Sequence, residues 1–335
     1  MTARTFLLHL GYGKTGTSTL QRSFFDPLSK LGLIHYFGMF LEADKEHPDR
    51  VLFDRLQAAM YLNDDAFELE VPKLKDAFRD ASQRSADHVP MVLSNEHFLL
   101  SAYSTRLEGV AINAMTTALR LSRVLEDFDV RLLAGFRRQD KFLHSLFVES
   151  AARVNHKNAG YFASLSDFLE MSLTAGTVFH PLLQYGPTMQ AYRRAFPKSD
   201  FLVYLFEDFI ADQSPVLSSI LRLMALPGQT LDQFSLPLPN LNAKDKREDG
   251  VAVRERSGLV NFVRGLPLGN RVLNNLRAVP ALQTMNEKSR PKRVIPNLSD
   301  AQSARILEAT QGAAQHLMML FPELADGMRR YGYVQ

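Results

Sequence analysis

The sequence predicts an α/β fold of three layers, α/β/α, with a central, mostly parallel sheet and a helical C-terminal cover. Three observations point there. Residues 6–10 form a continuously apolar run, as a parallel strand covered on both faces requires. That run passes into the loop Gly11-Tyr12-Gly13-Lys14-Thr15-Gly16-Thr17-Ser18-Thr19, which opens a helix. Further apolar runs then alternate with stretches of helical periodicity.

The elements follow in order. The first helix spans 17–25, with Leu20 and Phe24 at i, i+4 on its inner face and Pro27 placed just beyond its end. Gly32 turns the chain into a second strand at 33–37, closing a βαβ unit of roughly thirty residues. Residues 42–88 are charged, with helical periodicity and no strong strand. Met91-Val92-Leu93-Ser94 is a third strand, entered through Pro90. A helix over 119–128 leads to the fourth strand at 130–136, and another helix covers about 140–153. The fifth strand is 201–206, followed by a helix over 215–224. From about 227 onward, prolines at 227, 237, 239, 267, 280, 291 and 296 mark short helices and loops. A last helix starts at Ser299, a good N-cap with Asp300 in its first turn, and runs to about Phe321. No flexible linker divides the chain, so one domain is expected over 1–335, its core at about 5–226 and its cover at about 227–335.

Bulk properties narrow the function classes. Hydrophobic residues make up 46% and charged residues 22% of 335, which is ordinary globular usage. A formal charge of +3 gives no nucleic-acid footprint. Cysteine is absent, which excludes disulfides and thiolate metal sites. The initial apolar run is too short for a signal peptide, and nothing approaches the roughly 18 apolar residues of a membrane span. A soluble cytoplasmic protein is expected.

In open α/β sheets, ligands sit beyond the carboxyl ends of the strands. Lys14 and its loop follow the first strand there, Asn95, Glu96 and His97 the third, Arg137 and Arg138 the fourth, and Glu207 and Asp208 the fifth. Two anion-binding positions and two acidic ones on one edge predict an anionic ligand and an acid–base step. The loop itself offers backbone N–H groups, a helix N-terminus and a cation to one anion. Its spacing departs from the nucleoside-triphosphate loop G-x4-G-K-[ST]. Gly11 and Gly16 have the right separation, but Thr17 follows, and the lysine stands two positions before Gly16.

The order Lys14-Thr15-Gly16-Thr17-Ser18 resembles the 5′-phosphosulfate loop of sulfotransferases that use 3′-phosphoadenosine 5′-phosphosulfate (PAPS). In that family a strand ends in an arginine, and a serine eight residues later joins it in holding the 3′-phosphate. Here the strand VRLLAGF ends in Arg137, with Ser145 eight positions on, and Arg137-Arg138-Gln139 resembles bacterial members in particular. A dianionic phosphate suits a forked guanidinium and a hydroxyl donor. Residues 206–209 resemble the family's aromatic-Glu-Asp-aliphatic segment, which is structural. Pro239-Asn240-Leu241-Asn242-Ala243-Lys244 resembles the C-terminal loop that closes over the cofactor, with Asn242 and Lys244 facing phosphate or adenine.

The resemblance covers roughly 5–245. It implies a P-loop nucleotide-kinase-like fold and in-line sulfuryl transfer from PAPS to an acceptor hydroxyl. Lys14 would stabilise charge on the leaving bridging oxygen. Gly13, Lys14, Thr15, Gly16, Thr17, Ser18 and Thr19 would surround the 5′-phosphosulfate. No metal is implied, and no H-E-x-x-H or similar ligand spacing occurs. The acceptor needs a general base, for which the family uses a glutamate or a histidine. Glu96 fits its strand-Ser-x-Glu segment, and His97 is the alternative. His9 reads as a hydrogen-bonded core residue and His144 as a helix-packing one.

The acceptor is a hydroxyl-bearing small molecule, saccharide or lipid. The Glu96 match favours a saccharide or glycolipid. Acceptor loops are expected at 36–65, 155–190 and 255–295, where Tyr36, Phe37, Phe40, Tyr161 and Phe162 are wall candidates or core. The basic cluster 288–293 reads as a solvated rim or a contact for an anionic surface. A nucleotide-dependent kinase is the alternative enzyme class, and a non-catalytic nucleotide binder is a third reading.

Overall fold

Along the first strand, β1 (Thr5–His9), Phe6, Leu8 and the following Leu10 point to one side of a sheet and Leu7 to the other. All four are fully buried, so both faces of the strand must be covered. A computed structural model describes residues 3–38, 47–99, 114–153, 164–177, 180–239, 245–247, 250–254 and 292–334, and it shows what covers them. The described chain forms two compact units, one of Met1–Gln139, Gly176–Leu241 and Leu307–Gln335, the other of Asp140–Ala175 and Asn242–Ile306.

The first unit holds a five-stranded sheet in the order β2-β3-β1-β4-β5, every neighbouring pair parallel. Its other strands are β2 (His35–Phe37), β3 (Met91–Ser94), β4 (Asp129–Phe136) and β5 (Phe201–Leu205). The register sets His9 beside Ser94 on one flank and beside Leu133 on the other. Strands β2 and β3 lie to one side of β1, with β4 and β5 to the other. The order therefore reverses at β1 and β4, which is where such sheets bind ligands.

One face is covered by α2 (Pro48–Ala59), α3 (Asp64–Ser82), α4 (Ala114–Val124) and α7 (Tyr185–Ala195). They bring Leu52, Leu56, Leu74, Phe78, Leu121 and Tyr192 onto Phe6, Leu8 and Leu132. The other face takes α1 (a continuous helical run, 17–30), α8 (Phe206–Ala211) and α9 (Ser214–Leu223), which pack Leu20, Phe24, Phe209 and Ile220 on Leu7 and Leu133. Each fully buried Leu or Phe contributes roughly 1.5–3 kcal/mol relative to exposure. These are the three α/β/α layers expected.

Helix starts follow local chemistry. Asn63 accepts from the Ala66 N–H at 2.8 Å, with Asp64 and Asp65 in the first turn of α3. Arg120 of α4 is buried and donates to the carbonyl of Met60 just past α2 at 2.9 Å and to Asp64 at 2.8 Å.

In the second unit, β6 (Asp245–Arg247), β7 (Gly250–Arg254) and β8 (Lys292–Pro296) form an antiparallel sheet in sequence order. Helix α5 (Gln139–Arg153) sets Phe147 5.5 Å from Phe168 of α6 (Leu165–Leu173). Helix α10 (Asp300–Leu320) begins as expected at Ser299. The Ser299 hydroxyl accepts from the Gln302 N–H at 3.2 Å, and Gln302 accepts from the Ser299 N–H at 2.9 Å, a reciprocal capping box. From Leu307 the chain belongs to the first unit again, where it forms α11 (Ala325–Arg330).

Four expectations change. The first helix does not stop before Pro27. It opens at Thr17–Leu20, widens to a π-helical turn over Gln21–Phe25 and continues as Asp26–Lys30. Pro27 lies inside this run, just after the π-helical turn, so the helix continues there without the N–H that a proline lacks. Phe206, assigned to the fifth strand, begins α8 instead. Within 155–190, expected as variable loop, stand α6 and the start of α7. The stretch after 227, expected as short helices and loops, contains β6 to β8, whose pairing of Gly250 with Pro296 is too distant in sequence to leave a local signal.

Candidate functional site

The loop after β1 is shaped by what its carbonyls accept. Gly11 and Gly16 have φ of 46° and 88°, and Lys14 between them is also left-handed at 72°. The Tyr12 carbonyl accepts from the hydroxyls of Thr15 and, at 3.1 Å, Thr17. The Lys14 carbonyl accepts from Arg137 Nη1 at 3.3 Å and the Thr15 carbonyl from Tyr204 OH at 3.0 Å. That of Gly16 accepts from the Leu20 N–H at 3.0 Å. A trans peptide directs its C=O and N–H oppositely. With these four carbonyls held by the protein, the N–H groups of Gly13, Thr15, Gly16 and Thr17 each point away from their own peptide's held carbonyl. A loop of such N–H groups leading into a helix has the donors that an anion cradle uses.

Close packing holds the cradle. Tyr12 is buried with its ring 4.7 Å from Tyr185 and 5.5 Å from Phe136. A Cβ on Gly16 would stand 2.9 Å from Phe209 Cε1, so glycine is required there. Lys14 and Ser18 are half-buried, and Thr19, buried, lies 3.5 Å from the Pro239 carbonyl. This geometry fits a phosphate or phosphosulfate group.

Arg137 stands at the end of β4, next to β1 in the sheet, and reaches the Lys14 carbonyl directly. Its guanidinium lies 4.9 Å over the Phe206 ring. Its carbonyl accepts from Tyr185 OH at 2.8 Å. The Lys14 loop and Arg137, picked out separately in the sequence, are thus in contact.

Under the cradle runs a buried polar chain. His9 Nδ1 lies 2.7 Å from Ser94 Oγ, which also accepts from Gln21 Nε2 at 3.0 Å. Burial pushes the His9 ring down to about 3, so it is neutral at physiological pH. Ser94 ends β3, buried Asn95 donates its N–H to the His9 carbonyl at 3.1 Å, and Glu96, half-buried, opens the short 3₁₀ turn Glu96–Phe98. Glu96 therefore starts from the same sheet edge as Lys14 and Arg137. The His97 side chain lies outside the described residues, as do Asn242, Lys244, Phe40, Tyr161 and Phe162. Ser145 is half-buried on α5, in the second unit.

The acidic pair after β5 has partners of its own. Glu207 accepts from the Arg138 N–H at 3.1 Å and from Tyr333 OH at 2.7 Å. Asp208 accepts from Arg330 at 2.6 Å and Tyr331 OH at 2.8 Å. These carboxylates hold the chain's last turn, as the structural reading of 206–209 expects. His9 is the hydrogen-bonded core residue expected. His144, half-buried on α5, places Nε2 2.9 Å from the Pro296 carbonyl. Tyr36 and Phe37 belong to the core.

Tyr185, Tyr204, Phe206 and Tyr333 were not foreseen as parts of the site, since each comes from an element far along the chain. Among the described residues no three His, Asp or Glu side chains gather as metal ligands, and no helix is long and apolar enough to cross a membrane.

No protein-family model matches the chain, and no curated protein does. Among solved structures, it is similar to a sulfotransferase from Alicyclobacillus acidocaldarius, at 14% identity and a TM-score of 0.42, over 78% of this chain and 92% of that one. It is similar to the sulfotransferase domain from the curacin biosynthetic pathway at 12% identity and 0.36, over 73% and 79%. A third is retinol dehydratase in complex with androsterone and the inactive cofactor PAP, at 16% identity and 0.34, over 71% and 65%.

Proposed function

We infer that this chain transfers a sulfuryl group from PAPS to an acceptor hydroxyl. The observation that supports this most is the 3.3 Å contact between Arg137 Nη1 and the Lys14 carbonyl, which sets a phosphate-binding guanidinium against the anion cradle at the switch point of the sheet. Two anion-binding elements so close suit a donor with two separate anionic groups. The lysine position within the loop, unlike that of a nucleoside-triphosphate loop, suits the same donor.

The residues divide the work as follows. The N–H groups of 13–19 and the Ser18 hydroxyl hold the 5′-phosphosulfate, while the Thr15 and Thr17 hydroxyls are given to the Tyr12 carbonyl and shape the loop. Arg137 takes the 3′-phosphate, the role in which the resemblance adds Ser145. The resemblance assigns Asn242 and Lys244, outside the described residues, to the covering loop. The acceptor oxygen forms a new S–O bond while the bond from sulfur to the bridging phosphate oxygen breaks. Lys14 stabilises the charge left on that oxygen, and Glu96, with His97 as the alternative, takes the acceptor proton. The products are a sulfate ester and adenosine 3′,5′-bisphosphate. A saccharide or glycolipid hydroxyl is the acceptor class.

Thermal shift tests the reading. At a hundred times its dissociation constant, adenosine 3′,5′-bisphosphate should stabilise the protein by about 2.7 kcal/mol, roughly 4 °C, and Lys14→Ala should weaken the effect. Transfer of label from PAPS to a hydroxyl compound in pooled cell extract completes the test. Stabilisation by ATP–Mg alone would assign the loop to a kinase instead.

A further inference from the structure

We propose that Tyr333 is a positioning residue for Arg137, so that the last turn of the described chain sets how firmly the 3′-phosphate is held; this rests on the PAPS reading above. Strand β4 ends at Phe136 and α5 begins at Gln139, so Arg137 and Arg138 lie between two regular hydrogen-bond ladders. The peptide group joining them is held by side chains instead. Its carbonyl accepts from Tyr185 OH at 2.8 Å, and its N–H donates to Glu207 Oε1 at 3.1 Å. Those two bonds fix the plane from which the Arg137 side chain departs.

Glu207 is in turn held by Tyr333. The phenol donates to Glu207 Oε2 at 2.7 Å, and Tyr333 is only 1% exposed, so water cannot readily replace that bond. Arg137, Glu207 and Tyr185 are all close enough to act on the phenol electrostatically. The turn that carries Tyr333 is well formed. Its N–H returns to the Met328 carbonyl at 2.9 Å and that of Gly332 to Arg329 at 3.1 Å, a Schellman end to α11. Arg138 Nη1 adds a bond to the Tyr331 carbonyl at 3.0 Å, and Gly327 lies tight against Leu205 and Asp208. The tail therefore grips one side of the Arg137–Arg138 peptide through a single carboxylate.

Calorimetric titration of the full chain with adenosine 3′,5′-bisphosphate and with adenosine 5′-phosphate separates the possibilities. The wild type should prefer the bisphosphate. Tyr333→Phe, which keeps the ring, should weaken the bisphosphate roughly tenfold and leave the monophosphate within about twofold. Glu207→Gln should show the same selective loss, a second route if the first variant folds poorly. Tyr331→Phe, whose hydroxyl bonds Asp208 and not Glu207, should change neither. Equal weakening of both ligands, or an unchanged preference in Tyr333→Phe and Glu207→Gln, would overturn the positioning role. A wild type with no preference for the 3′-phosphate would overturn the PAPS reading itself.

Discussion

Replacing Gly16 by alanine should damage both the fold and the cradle. The residue has φ of 88°, where an L side chain costs about 1–2 kcal/mol. The new Cβ would stand 2.9 Å from Phe209 Cε1 and 3.1 Å from Cδ1. Phe209 is buried in the core beneath α1, its ring 5.7 Å from that of Tyr204, so it has little room to retreat. Overpacking of this kind costs about 1–3 kcal/mol. The narrower unfolded ensemble of alanine offsets up to about 1 kcal/mol. The net loss is then roughly 1–5 kcal/mol, or a fall of about 2–7 °C in Tm by scanning fluorimetry. Because Tyr204 holds the Thr15 carbonyl, pushing Phe209 also turns the loop, and adenosine 3′,5′-bisphosphate should bind more than tenfold more weakly by calorimetry. Gly32→Ala is the control: φ is 72° there but nothing lies within 4 Å of the new Cβ, so only the backbone share should appear. A Gly16→Ala protein within about 1 °C of wild type and with unchanged affinity would refute the packing argument.

Glu96→Gln should lower kcat at least about a hundredfold and leave bisphosphate affinity within about threefold. If His97→Asn shows that loss and Glu96→Gln does not, the base is His97. For His9, burial lowers the folded value to about 3 from 6.5, so below pH 6.5 the unfolded chain takes up a proton that the folded chain refuses. Its contribution to stability is full above about pH 6.5 and fades as pH falls towards 3, by up to about 1.4 kcal/mol per pH unit. Urea unfolding at pH 6 and pH 4 should show a steeper loss for wild type than for His9→Asn, and equal slopes would contradict the buried neutral ring. Arg120→Met should cost roughly 1–3 kcal/mol in the same assay, because the Met60 carbonyl loses its buried donor while the exposed Asp64 carboxylate is left to water. A change under about 1 kcal/mol would show that water replaces the guanidinium.

Much of the fold could be read along the chain because its signals are local. The apolar run at 6–10 and the glycine, lysine and hydroxyl residues after it already announce a strand, a cradle and a helix. The Ser299–Gln302 cap is legible for the same reason, since both partners lie within one turn. Arg137 could be picked out by its place just past an apolar strand. Its contact with Lys14 could not, because only the parallel pairing of β1 and β4 brings residues so distant in sequence to one edge. Glu207 shows the limit most clearly. From its position it is one more carboxylate at a strand end, and its actual partners are the Arg138 N–H and Tyr333. Residue types and short spacings thus point to a strand, a glycine-rich loop and a helix able to meet an anion. Which carbonyls of the loop are tied down, which acid is already spent on a tyrosine and which arginine stays beside the cradle depend on contacts between remote segments, and those form only when the sheet and its helices pack.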